Sequence, residues 1–87
     1  SLFDLIRDRQ QHPAAESYTS CLFAEGLPKI AQKVGEESAE VMVAALAQSD
    51  QRLIEEVADL TYHTLVLLAA RGLTPADVMA ELEKRRK

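Results

Sequence analysis

The chain has 87 residues, 47% of them hydrophobic, and a formal net charge of −4. That length allows one small domain and no more, and the acidity argues against a non-specific nucleic-acid binder. The single cysteine, Cys21, permits no internal disulfide and points to a reducing compartment.

No signal peptide is visible, and the longest apolar runs, 41–47 and 65–70, are far shorter than the roughly 20 residues a membrane span needs. The chain opens with Ser rather than Met, so its start is expected to have been trimmed. The apolar content is mostly Ala, Leu and Val, with two Phe, two Tyr and no Trp. Such side chains suit closely packed helices. A surplus of apolar helix surface on so short a chain predicts burial against a partner, most simply a second copy.

Strand-like alternation is absent, and the punctuation is helical throughout. A first helix is predicted from Leu2 to about Gln11, capped by Ser1 and Asp4 and ended by His12-Pro13. A short helix follows from Ser17 to Ala24, with Ser17 as N-cap and Gly26 as terminator. Pro28 suits the first turn of a long helix reaching about Gln48, with Ile30, Val34, Val41 and Ala45 on its apolar side. Gly35 costs that helix about 1 kcal/mol against Ala, which close approach of another helix or a ligand would offset.

Ser49-Asp50 supplies a turn and the next N-cap. The fourth helix runs from about Gln51 to Arg71 and stops at Gly72, with Leu53, Val57, Leu60, Thr64 and Leu68 predicted inward. From Leu65 onward it is apolar nearly all round. Thr74-Pro75-Ala76-Asp77 starts a last helix, with Val78, Met79 and Leu82 predicted inward. The tail Lys84-Arg85-Arg86-Lys87 complements the negative end of that helix. The expected class is all-α, a small helical bundle with two long central helices antiparallel across a short turn.

Two acidic clusters stand out, Glu36-Glu37-Ser38-Ala39-Glu40 and Glu55-Glu56-Val57-Ala58-Asp59. With Glu36 at zero on a helical wheel, Lys29, Glu40, Lys33 and Glu37 fall near 20°, 40°, 60° and 100°. With Glu56 at zero on the next helix, Asp59 and His63 lie near 300° and 340°, and Leu60 near 40°. Both acidic stripes therefore border apolar ones, and antiparallel packing lets them face one cleft. A lone Glu-x-x-Glu pair is ordinarily a solvated helix face. Two matched clusters beside apolar stripes repel one another unless a cation lies between them.

Oxygen ligands without cysteine suit Mg²⁺ or Mn²⁺ better than zinc, and carboxylate-held Mg²⁺ commonly serves phosphate chemistry. Lys33 and Lys29 could neutralise phosphate, and a remaining carboxylate could orient or deprotonate water. A di-iron bundle wants Glu-x-x-His, whereas Glu56 is followed by Asp59, with His63 four residues later. His63 by itself reads as a polar core residue or a hydrogen-bonder on the helix face.

Ser17-Tyr18-Thr19, Gly26, the run from Lys29 to Glu37, Glu40, the run from Glu56 to His63 and Leu65-Val66-Leu67-Leu68 closely resemble the phosphoribosyl-ATP pyrophosphatase family. The wider group is the MazG-like all-α nucleoside-triphosphate pyrophosphohydrolases, with Glu-Glu-x-x-Glu on one helix and Glu-x-x-Asp on the next. The resemblance implies that Glu36, Glu37, Glu40, Glu56 and Asp59 bind Mg²⁺, with Glu37, Glu40 and Asp59 catalytic and Lys33, Lys29 and His63 on the substrate. It implies hydrolysis of phosphoribosyl-ATP to phosphoribosyl-AMP and pyrophosphate, the second step of histidine biosynthesis, in the cytoplasm. It also implies a homodimer or higher homo-oligomer that acts on a small nucleotide, without nucleic acid or membrane. Nothing matches a fused cyclohydrolase, so a stand-alone form is expected. Cys21 takes no role, and Glu55 is read as a surface acid. The alternatives are a pyrophosphohydrolase of free (d)NTPs and a non-enzymatic helical dimerisation module.

Overall fold

Five helices follow one another in the computed structural model, which describes residues 1–86: α1 (Leu2–Gln11), α2 (Tyr18–Glu25), α3 (Leu27–Ala47), α4 (Asp50–Ala70) and α5 (Pro75–Lys84). All five expected helices form, with ends shifted by a residue or two. Their starts are chemically marked. Ser1 with Asp4 and Thr74 with Asp77 make capping boxes, and Ser17 and Ser49 accept from the backbone N–H groups of Ser20 and Arg52. Gly26, at φ 92°, closes α2 and opens α3 with no residue to spare. Only glycine takes that backbone conformation without strain.

The helices α3 and α4 form the most extensive packing of the fold, joined by the short turn at Gln48 and Ser49. The buried line of α3 is Ile30, Glu37 and Ala44. These lie seven residues apart, the spacing of a helix–helix seam. The matching line of α4 is Glu56 and His63, continued by Val66 and Ala69. At the far end Ile6, Leu22, Ile30, Val66 and Ala69 make the apolar core, with Phe3, Phe23 and Tyr62 packed against it. The Gln10 side-chain amide donates to Ala69 O at 3.1 Å and ties α1 to the end of α4.

Several inward assignments are corrected. On α4, Val57 is exposed and Leu53, Leu60, Thr64 and Leu68 are only half-buried, because the seam is rotated toward Glu56 and His63. On α3, Ala44 rather than Ala45 is buried, while Val34 and Val41 are half-buried. Gly35 faces open space, so no helix of this chain approaches it closely. On α5, Val78, Met79 and Leu82 are exposed, since no helix of this chain covers them. From Leu65 onward α4 is buried or half-buried on every side, as its sequence predicts. Lys84 closes α5, and Arg85 and Arg86 pair with Glu81 and Glu83; Lys87 lies outside the described residues.

Candidate active site

The α3–α4 hairpin brings the two acidic clusters together. One carboxylate oxygen each of Glu37, Glu56 and Asp59 lie within 4.8 Å of one another. Glu37 and Glu56 are 7% and 6% exposed, so two carboxylates sit inside the seam rather than on its rim. Asp59 is exposed and gives the group an opening to solvent. Glu40 reaches Glu56 from one turn further along α3. Burial raises the pKa of Glu56 above its ordinary 4.5, and the neighbouring Glu40 carboxylate adds to that, against the pull of Arg52.

Two oxygens decide how this group reads. Glu37 Oε2 and Glu56 Oε2 are buried without a hydrogen-bond partner among the described residues. A buried carboxylate oxygen left unpaired is costly, and native structures rarely keep one without an ion or water. Acids drawn from two helices, with unspent oxygen lone pairs and no sulfur or imidazole among them, fit a hard divalent cation.

Glu36 is not brought into this group. It is half exposed and meets Gln32 Nε2 at 3.5 Å and Lys33 Nζ at 3.7 Å. Lys33 bridges the rim to the interior, with its ammonium 3.7 Å from Glu36 and 3.8 Å from Glu37. The neighbouring Tyr18 phenol, then Glu36 and Glu37, hold the Lys33 pKa above its usual range. Lys29 is exposed one turn earlier on α3. Glu55 is a surface acid bound to Gln51 and Arg52, and Cys21 is exposed.

His63 is buried and polar at both ring nitrogens. Its Nδ1 lies 2.8 Å from Asp59 O, which can only accept, so Nδ1 carries the proton. Nε2 lies 3.1 Å from Tyr18 Oη, and in the neutral imidazole it accepts that hydrogen bond. Alongside, the hydroxyls of Thr19 and Tyr62 hydrogen-bond each other.

A profile described as phosphoribosyl-ATP pyrophosphohydrolase matches residues 1–86. The chain belongs to this family. It is 54% identical to the phosphoribosyl-ATP pyrophosphatase of Lacticaseibacillus casei, over 98% of this chain and 77% of that protein. It is 54% identical to the protein of that name from Pyrobaculum calidifontis, over 99% and 92%. The Clostridium botulinum protein of the same name is 49% identical over 100% of this chain and 79% of its own length.

Arg52 is a residue that the sequence reasoning missed. Its guanidinium pairs with both Glu55 and Glu56, and it lines a cavity of about 210 Å³ with Glu40, Val43, Gln48 and Glu56. Its four-residue spacing from Glu56 was the available signal. The contact of Tyr18 with His63 spans 45 residues and has no local signal.

Proposed function

We propose that this member of the family hydrolyses phosphoribosyl-ATP to phosphoribosyl-AMP and pyrophosphate, in the cytoplasm, as the second step of histidine biosynthesis. The observation that carries the reading is the pair of unpartnered buried oxygens on Glu37 and Glu56, set beside Asp59. Glu37, Glu40, Glu56 and Asp59 would hold Mg²⁺, with Glu36 as a rim carboxylate. When bound, the cation neutralises phosphate charge and stabilises the leaving pyrophosphate.

The chain's own residues do the rest. Lys33, with Lys29 one turn away, binds the phosphates as they enter over the α3 rim. Hydrolysis forms one bond from water oxygen to phosphorus and breaks the α–β anhydride link. Asp59, the exposed member of the group, has access to bulk water and is placed to orient it or take its proton.

Exposed apolar residues support pairing with a second copy. Met42, Val43 and Leu46 at the end of α3, Ile54 and Val57 on α4 and Met79 and Leu82 on α5 are all more than 40% exposed. Among the described residues no helix is long and apolar enough to cross a membrane.

The test is pyrophosphate release from phosphoribosyl-ATP by chelator-treated protein, before and after Mg²⁺ is restored, beside a panel of dNTPs. Mg²⁺-dependent release with preference for phosphoribosyl-ATP is expected. Preference for a dNTP would reassign the substrate, and no turnover of any triphosphate would reject the reading.

A further inference from the structure

Antiparallel packing of α3 and α4 sets their residues in facing rows. Glu40 meets Glu56, Glu37 meets Asp59, and Lys33 lies level with His63. The cleft therefore has an order. Arg52 and its cavity stand at one end, the carboxylates in the middle, and Lys33, His63 and Tyr18 at the other. Asp59 to His63 is four residues of α4, a rise of about 6 Å. The aromatic end is thus within one nucleotide's reach of the acids.

Three rings gather at that end. Tyr18 and Tyr62 stack with centroids 6.2 Å apart and planes 28° from parallel. The His63 imidazole stands edge-on to both, at 5.9 Å and 5.0 Å. Tyr18 is nevertheless 53% exposed. Its hydroxyl is anchored on His63 Nε2 and one flank rests on Tyr62, which leaves part of the ring open to solvent. A large aromatic side chain that is pinned at its tip and open along a face has little conformational entropy left to lose on binding. Lys33 beside it supplies positive charge between the ring and the carboxylates.

We propose that the exposed face of Tyr18, backed by Tyr62 and fixed by His63, is the stacking platform for the purine base of the substrate. This assignment rests on the reading that the cleft binds a nucleotide. The base lies on Tyr18, the phosphates run past Lys33 toward Glu37, Glu56 and Asp59, and His63 acts as a positioning residue through the Tyr18 hydroxyl. The platform separates a nucleotide from a bare polyphosphate, which the acids and Lys33 alone would not do.

Two measurements on the full chain test it. First, KM for phosphoribosyl-ATP is compared for Tyr18→Phe, Tyr18→Leu and Tyr18→Ala, with inhibition by inorganic tripolyphosphate as the base-free control. Loss of base stacking predicts a rise in KM of about tenfold for Tyr18→Ala. The rise is smaller for Leu and smallest for Phe, which restores the ring, while the tripolyphosphate inhibition constant stays within about twofold of wild type. Equal effects of Phe and Ala, or a parallel loss of tripolyphosphate affinity, would overturn the platform. Second, Tyr18 and Tyr62 are the only tyrosines and the chain has no Trp, so tyrosine emission reports on this site alone. Titration with AMP, corrected for its absorbance, should quench that emission in wild type and not in Tyr18→Ala. No quenching in folded wild type rejects the platform. Absent turnover of phosphoribosyl-ATP with quenching intact rejects instead the reaction assigned above.

Discussion

Replacing Glu37 by Gln should move stability and activity in opposite directions. Glu37, Glu56 and Asp59 present oxygens within 4.8 Å of one another. At that separation two unit charges interact by about 3.5 kcal/mol at an effective dielectric of about 20. Asp59 is exposed, so solvent screening leaves about 1–2 kcal/mol of repulsion from it in the metal-free protein. Glu56 adds repulsion of the same sign. The substitution also removes the Lys33–Glu37 pair, set at 3.8 Å with Lys33 partly exposed, which returns about 0.5 kcal/mol. The net expectation is a gain of about 1 kcal/mol without metal, or about 4–8 °C in Tm for a domain of this size. The Mg²⁺-induced rise in Tm expected for wild type should largely vanish, and kcat should fall about a hundredfold or more. Calorimetry in chelator and in saturating Mg²⁺, with turnover measured on the same samples, makes the check. A variant less stable than wild type in chelator, or one that keeps the full Mg²⁺ shift, would refute the reasoning.

Other outcomes follow from the same geometry. In chelator, wild type should become more stable as pH falls from neutral toward 4.5. The raised pKa of Glu56 means that the folded state takes up a proton before the unfolded chain does. The lowered carboxyls of Glu55 and Asp4 act in the opposite sense, but only below their ordinary values of 4.5 and 3.8. Thermal unfolding across that window, flat or falling with acid, would contradict the raised Glu56. Glu55→Gln should leave Mg²⁺ affinity by calorimetry within about threefold of wild type, since Glu55 points to Arg52 and solvent rather than to the carboxylate group. Met79→Asp should shift a self-associated species toward monomer in sedimentation velocity, with the α3–α4 site intact. An unchanged distribution would place the contact elsewhere.

Helix positions were legible because caps and breakers act locally. Ser1, Ser17, Ser49 and Thr74 each spend a side-chain oxygen on the following turn, wherever the rest of the chain goes. Helix orientation was less legible. Counting apolar residues put Leu53, Val57 and Leu60 inward on α4, yet Glu56 and His63 hold the seam. Hydrophobic periodicity does not reveal a buried charged group, so the rule fails at the candidate site. The outward faces of Val78 and Met79 were misjudged for a related reason, because a pattern says that a face is apolar and not which chain covers it. Glu37, Glu56 and Asp59 were found through their spacing. Arg52 was overlooked because an i to i+4 pair on a charged helix looks like surface decoration. The link of Tyr18 to His63 needed the fold.

A divalent cation held where α3 and α4 face each other is the centre of the proposed chemistry. Crystals of the protein soaked in Mn²⁺ and measured at the manganese absorption edge test that most directly. An anomalous peak bounded by the carboxylates of Glu37, Glu56 and Asp59 is expected, within about 2.0–2.4 Å of at least two of their oxygens. Well-ordered carboxylates with no peak between them, or a peak only at surface acids such as Glu81 and Glu83, would contradict the account.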